Sequence, residues 1–197
     1  MTKEVTVMHS GIVAAAAVHN LSLAVAYGGS IYGRVALRRA AIEGVSDPKQ
    51  RGKVMGQAWT QFNRINVPAH ALFTITWLVE RNAINRGPFT SNRTRRLVAV
   101  KDVLVTGALL TGVSNVIAGE MMKKEFPEGV GISDNGNVVP EQAEKAQKYI
   151  SYFRVMGPLH TALLGGSIVL GPVISASTAR NAARGLLGKL FKNLTRG

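Results

Sequence analysis

His19, His70 and His160 each stand as the single histidine of a long apolar stretch, at residues 11–35, 62–82 and 153–177. An ionisable side chain is costly in hydrocarbon, so these positions are where function is sought first. Imidazole offers three kinds of chemistry there: axial ligation of a haem or pigment, a step in a proton path, or a neutral hydrogen bond to a neighbouring helix.

Depth separates the three. His70 lies eight residues inside the second stretch and His160 seven residues inside the last, which at 1.5 Å per residue is about 10–12 Å. Both stretches enter from the same face, so His70 and His160 are expected in one layer. His19 enters from the opposite face and belongs to the other half. Two histidines at equal depth on facing helices are what bis-imidazole haem b requires. A chlorophyll-type pigment needs one axial imidazole, which keeps His19 among the candidate cofactor ligands. Pro68 and Pro158 each precede their histidine by two residues and disturb the helix there. The competing reading makes each histidine a neutral hydrogen-bonding residue.

The elements that must position these residues follow from length. A bilayer core about 30 Å thick needs about 20 mostly apolar residues. The first and last stretches, and one at residues 97–119, meet that length. The second is apolar only over 67–79 and must draw in Asn63, Arg64 and Asn66, which then face protein or water. The fold expected is all-α: an integral membrane four-helix bundle forming a single domain over residues 1–197. Gly29 and Gly33 form a G-x-x-x-G face for close helix approach.

Residues 49–61 and 179–197 alternate apolar and basic or polar positions at helical spacing and read as amphipathic segments at the membrane interface. The first of them reads equally as a long entry to the second span. Bends are expected at Pro68, Pro158 and Pro172. Residues 121–152 read as an irregular loop or small hairpin, followed by a polar helix that starts at Pro140. Glu120 is placed to pair with Arg154, and Glu80 with Lys101 and Asp102. Asn20, Ser114 and Asn115 are placed for interhelical hydrogen bonds.

Composition sets the outer limits. Of 197 residues, 24 are Lys or Arg and 11 Asp or Glu, for a net charge of +13, and most of these charges fall in the connections. Basic residues flanking apolar helices contact anionic lipid headgroups. No basic stretch is interleaved with aromatics, so nucleic acid is not the expected partner. The absence of cysteine removes disulfides, Cys-ligated zinc and iron–sulfur clusters. No Walker loop, dinucleotide glycine fingerprint, zinc-protease helix motif or nucleophile elbow is present, so no enzyme activity is expected. The first stretch has a weakly basic start and outruns a typical signal core, and reads as a retained anchor. Lys and Arg divide equally between the two faces. Net charge favours the face bearing both termini, which are expected on the cytoplasmic side of a bacterial inner membrane or the matrix side of an organelle inner membrane.

His19-Asn20-Leu21 with Tyr27-Gly28, Tyr152-Phe153-Arg154 with Gly157, and the run from Asn115 to Glu120 resemble the four-span family typified by transmembrane protein 205. Glu120-Met121 stands where an acidic–proline pair is expected in that family. The resemblance implies a four-span membrane fold and carries over no catalytic residue. The function expected is a non-catalytic, scaffolding or lipid-contacting subunit of a larger membrane complex, respiratory or photosynthetic, with other membrane subunits and anionic lipid as partners. The alternative is an electron-transfer subunit that holds haem b or a pigment on His70 and His160.

Overall fold

The computed structural model describes residues 3–88 and 90–194, with side chains over 11–88 and 90–188. Helix α1 (Lys3–Tyr32) passes through a π-helical turn (Gly33–Leu37) into α2 (Arg38–Gly44) without a break. Helices α3 (Pro48–Arg86), α4 (Asn92–Glu125) and α5 (Pro140–Leu194) follow. The starts are set by local chemistry. Asp47 accepts from the amides of Lys49 and Gln50 with Pro48 in the first turn of α3, and Ser91 accepts from Thr94 N at the start of α4.

Three segments are long and apolar enough to cross a membrane: Gly11–Gly44, Asn92–Glu125 and Pro140–Gly188. Helix α3 is not among them, because its N-terminal half carries Lys49, Arg51, Lys53 and Arg64. Residues 49–61 are the long entry to the second stretch and not a separate helix. The tail likewise continues the last stretch without a break as far as Leu194, so no separate interfacial helix begins at 179. Residues 195–197 lie outside the described residues. Pro68, Pro158 and Pro172 all sit inside continuous helices.

Contacts define how the helices run. Gly33 meets the Trp59 ring, Gly29 meets Phe62, and His19 bonds to Phe73 O, so α1 and α3 are antiparallel. Thr94 meets Ser177, Gly107 meets Leu163 and Thr111 meets His160, so α4 and α5 are antiparallel too. Thr60 with Lys123 and Trp77 with Asp102 set the same sense for α3 and α4. Tyr27 on Gly165 and Arg34 on Gly157 close the ring between α1 and α5.

The interior and exterior are inverted relative to a water-soluble protein. Leu23, Phe73, Trp77, Val98, Val105 and Leu164 share the core with buried His19, His70, Lys101, Thr94, His160 and Ser167. Meanwhile Leu21, Ile65, Ile75, Val103, Leu110, Ile117 and Val169 face outward. Most of the buried polar side chains find partners within the protein, while His19 Nε2, Asn66 Oδ1 and Asn115 Oδ1 do not.

The α4–α5 connection shrinks to residues 126–139. An Ile132–Val138 bridge closes it as a small hairpin around Gly136, whose φ of +77° a side chain would resist. Arg51, buried at 4% exposure, donates to Val45 O and Ile132 O and pairs with Asp134. Arg38 donates to Gly136 O at 2.6 Å, and Pro48 O accepts from Ile132 N at 2.9 Å. The chain thus makes its own contacts to its longest connection. Glu120 pairs with Lys123 at 2.6 Å in place of the expected Arg154. Three residues apart on one helix, the two are closer than Arg154 on α5.

Candidate functional site

Two polar clusters occupy the core, separated along α3 by Phe73. In the first, His70 and His160 meet as their depth predicts: their Nε2 atoms are 3.3 Å apart and their ring planes nearly parallel, with centroids at 5.1 Å. His70 comes from α3 and His160 from α5. Helix α4 makes room through Gly112, where an added Cβ would lie 2.7 Å from His70 Nε2 and 3.2 Å from His160 Cε1. Any side chain there displaces the imidazoles.

The outer nitrogens are also engaged. His70 Nδ1 is 2.7 Å from Asn66 O, and a carbonyl only accepts, so this nitrogen carries a proton. His160 Nδ1 is 2.9 Å from Thr111 Oγ1, which lies 2.7 Å from Gly107 O on its own helix. Neither Thr111 nor the glycine beside it was singled out from sequence as part of a site. The only signal was a small residue next to a hydroxyl in the middle of an apolar helix, which close helix packing produces equally well.

His19 belongs to the second cluster, as its opposite entry predicts. Its Nδ1 donates to Phe73 O at 2.8 Å, and its ring packs beside Trp77 with centroids at 5.9 Å. Lys101 is 1% exposed, its ammonium 4.2 Å from the centre of the Trp77 ring. Trp77 Nε1 donates to Asp102 at 2.8 Å, and Asp102 pairs with Arg81 at 3.0 Å. Asp102 therefore pairs with Arg81, and Glu80 makes no ion pair among the described residues. Asn20 faces outward, unlike the inward role expected of it, while Ser114 accepts from Tyr152 at 2.6 Å.

The histidines can be tested against the cofactors their spacing suggests. An imidazole–metal bond is about 2 Å, so an iron with two axial imidazoles holds their nitrogens about 4 Å apart across a macrocycle. His70 and His160 are already in direct contact at 3.3 Å, edge to edge, with no gap for a macrocycle between them. The ring of His19 is fully enclosed by Phe73 and Trp77. Two grooves, of about 340 and 110 Å³, open near Tyr152 and near Trp59, and neither is lined by a histidine. Among the described residues no three His, Asp or Glu side chains converge as a metal site. The arrangement does not fit haem b or a chlorin. The His70–His160 pair fits hydrogen-bonded imidazoles, while His19 is bonded through Nδ1 alone and its Nε2 is buried without a partner.

Outside the apolar stretches at 97–119 and 153–177, the two helices flanking the hairpin are clasped by Tyr149 and Lys148. Both reach Glu125, at 2.8 and 2.7 Å, and their hydrogen bonds hold its carboxyl below the ordinary carboxylate range. No protein-family model, no curated protein and no solved structure matches this chain.

Proposed function

We propose that this chain is a four-span integral membrane protein acting as a non-catalytic subunit of a larger membrane assembly, with α3 as the fourth span. What supports α3 is its polarity by face. Asn66, His70 and Trp77 point inward, while Ile65, Val67, Leu72, Ile75 and Leu78 point out. A helix of that kind reaches the span length once its polar residues are covered by neighbours.

The observation that carries the subunit role is the outer face of α1. Asn20 is exposed in mid-helix, on a surface otherwise made of Ala14, Ala17, Val18, Leu21, Ala24 and Gly28. An amide turned to lipid is unfavourable, and small residues flanking it let a second helix approach closely enough to pair with it. The partner implied is an apolar helix of another membrane subunit, with anionic lipid at the basic helix ends. The resemblance to the transmembrane protein 205 family, taken from the residues alone, would imply such a fold and adds no activity.

The cysteine-free sequence makes the test direct. Single cysteines at Ser46, before α3, and at Pro88, in the α3–α4 turn, should label from opposite sides of intact vesicles; labelling from one side removes the fourth span. Native gels of the membrane extract should show a complex larger than the chain, lost in Asn20→Leu and Ala24→Phe but kept in Val169→Phe on α5. A chain that migrates alone before any substitution refutes the subunit role.

A further inference from the structure

The hydrogen bonds around His70 and His160 can be completed in two ways that differ by one proton. In both, His70 keeps a proton on Nδ1 for Asn66 O, so its Nε2 faces His160 as a bare acceptor. In the neutral arrangement His160 carries its proton on Nε2 and donates it to His70. Its bare Nδ1 then accepts from the Thr111 hydroxyl. In the other arrangement the Thr111 hydroxyl turns to Gly107 O, and His160 donates from Nδ1 to Thr111 Oγ1. Both Nε2 atoms would then face each other as bare acceptors, and one added proton between them completes the set. Every polar atom of the two rings is partnered in each arrangement, and one hydroxyl rotation together with uptake of one proton converts the first to the second.

We propose that His70 and His160 form a binding site for one proton, with Thr111 as the rotor that fits both its filled and empty states. The cationic form is unusually well provided for: its charge is shared over two rings, and each outer N–H ends on an oxygen. Other titratable or charged groups on the packed helices leave the pair to itself. On α1, His19 is committed to Phe73 O, Tyr27 lies over Gly165 and Arg34 over Gly157. On α4, Lys101 is ten residues before Thr111 and rests on Trp77. Helix α3 contributes Glu80 and Arg81, beyond Trp77, and α5 contributes Tyr152, bonded to Ser114, and the outward Arg154.

A second observation marks the approach to the pair. Asn66 and Asn115 each have a buried amide oxygen with no donor. His70 beside Gly112 and Thr60 beside Lys123 place these two residues opposite each other on α3 and α4. They lie one helical turn from the imidazoles, on the hairpin side. Paired acceptors of this kind suit water, which carries protons to a site that side chains alone do not reach.

The test is nitrogen-15 NMR of the full chain in nanodiscs with labelled histidine, recorded over about pH 5 to 8, where imidazole ordinarily titrates. At the alkaline end His70 should show the Nδ1–H tautomer and His160 the Nε2–H tautomer. On acidification both rings should change together, taking up one proton between them. Thr111→Ser should keep this behaviour, because it keeps the hydroxyl. Thr111→Val should weaken proton binding about tenfold, since it strands a cationic N–H without an acceptor. If Thr111→Val does not fold, His160→Gln serves: its amide still donates to His70, and the shared uptake should vanish while His70 stays in one tautomer. Identical tautomers on the two rings, independent titration, or a Thr111→Val variant that binds the proton as tightly as the parent would overturn the proposal.

Discussion

Arg51 is the residue whose removal should free the hairpin without disturbing the apolar helices. Its guanidinium is 5% exposed and reaches three acceptors: Val45 O, Ile132 O and the Asp134 carboxylate. The two carbonyl bonds are made by a charged donor, and such bonds contribute about 1.5–3 kcal/mol each. The Asp134 bond differs, because that carboxylate is 92% exposed. Solvent screening reduces an ion pair of this kind to about 0–1 kcal/mol. Of the two carbonyls only Ile132 O belongs to the hairpin, so Arg51→Met lowers the free energy of hairpin opening by about 1.5–3 kcal/mol, which speeds hydrogen exchange about 10- to 100-fold. Asp134→Asn should change it less than about fivefold. The amides to follow are those of Ile132, Ser133 and Val139, which bond to Pro48 O, Asn137 O and Gly131 O. Amides in α4 and α5 near Gly107 and Leu163 should exchange as before. Equal effects from the two variants, or no effect of Arg51→Met, would refute the claim that the buried bond to Ile132 O and not the ion pair holds the hairpin.

Three further outcomes are expected. Gly112→Ala should force His70 and His160 apart at an overpacking cost of about 1–3 kcal/mol, seen as a lower melting temperature together with loss of the imidazole–imidazole coupling in NMR; a normal pair in a stable variant contradicts the geometry. Gly29→Ala, which collides with the Phe62 ring, should destabilise by a similar amount, whereas Gly28→Ala meets nothing within 4 Å and should be neutral or gain up to about 1 kcal/mol of helix propensity. The Glu125 clasp should depend on pH in one direction: a carboxyl held below its usual 4.5 stabilises fully above that value and releases as pH falls through its lowered midpoint. A carbon-13 titration of Glu125 should place that midpoint below 4.5, and Lys148→Met should raise it; a midpoint at or above 4.5 in the parent chain disproves the clasp.

The pairing of His70 with His160 was legible because depth along a helix is a property of sequence: entry face and residue count suffice to put two side chains in one layer. The same reasoning set His19 apart. Rotation about the helix axis was not legible in the same way. Asn20 and His19 are neighbours in sequence, yet one faces outward and the other the core, and an almost uniformly apolar α1 gives no sign which. The sequence of the α4–α5 connection reads equally as an irregular loop or a small hairpin, and it hides the anchor. Arg51 sits among basic residues that look alike in sequence, and only the docking of residues 129–132 against Gly52 and Lys53 singles it out. The continuity of α5 was missed for a physical reason. Its composition changes sharply near residue 179, but a helix ends only where a cap or breaker stops it, and Ser177-Thr178-Ala179-Arg180 supplies neither.

The polar core also explains how such a chain chooses one arrangement. Between apolar helices in lipid there is little hydrophobic drive, so register must come from packing shape and directed bonds. Three of the helix contacts carry one of each. Between α1 and α3, Gly29 and Gly33 admit two aromatic rings while His19 bonds to Phe73 O. Between α4 and α5, Gly107 and Gly166 seat leucines while Thr94 meets Ser177 and Thr111 meets His160. Between α3 and α4, Gly112 seats the imidazoles while Trp77 bonds to Asp102. A shift of one helical turn at any of these contacts would bury several polar atoms unpaired, at about 1–3 kcal/mol for each. The imidazole pair differs from the other bonds in one respect. It can gain a proton without losing a partner, so the contact joining α3 to α5 can change charge while the register around it stays fixed.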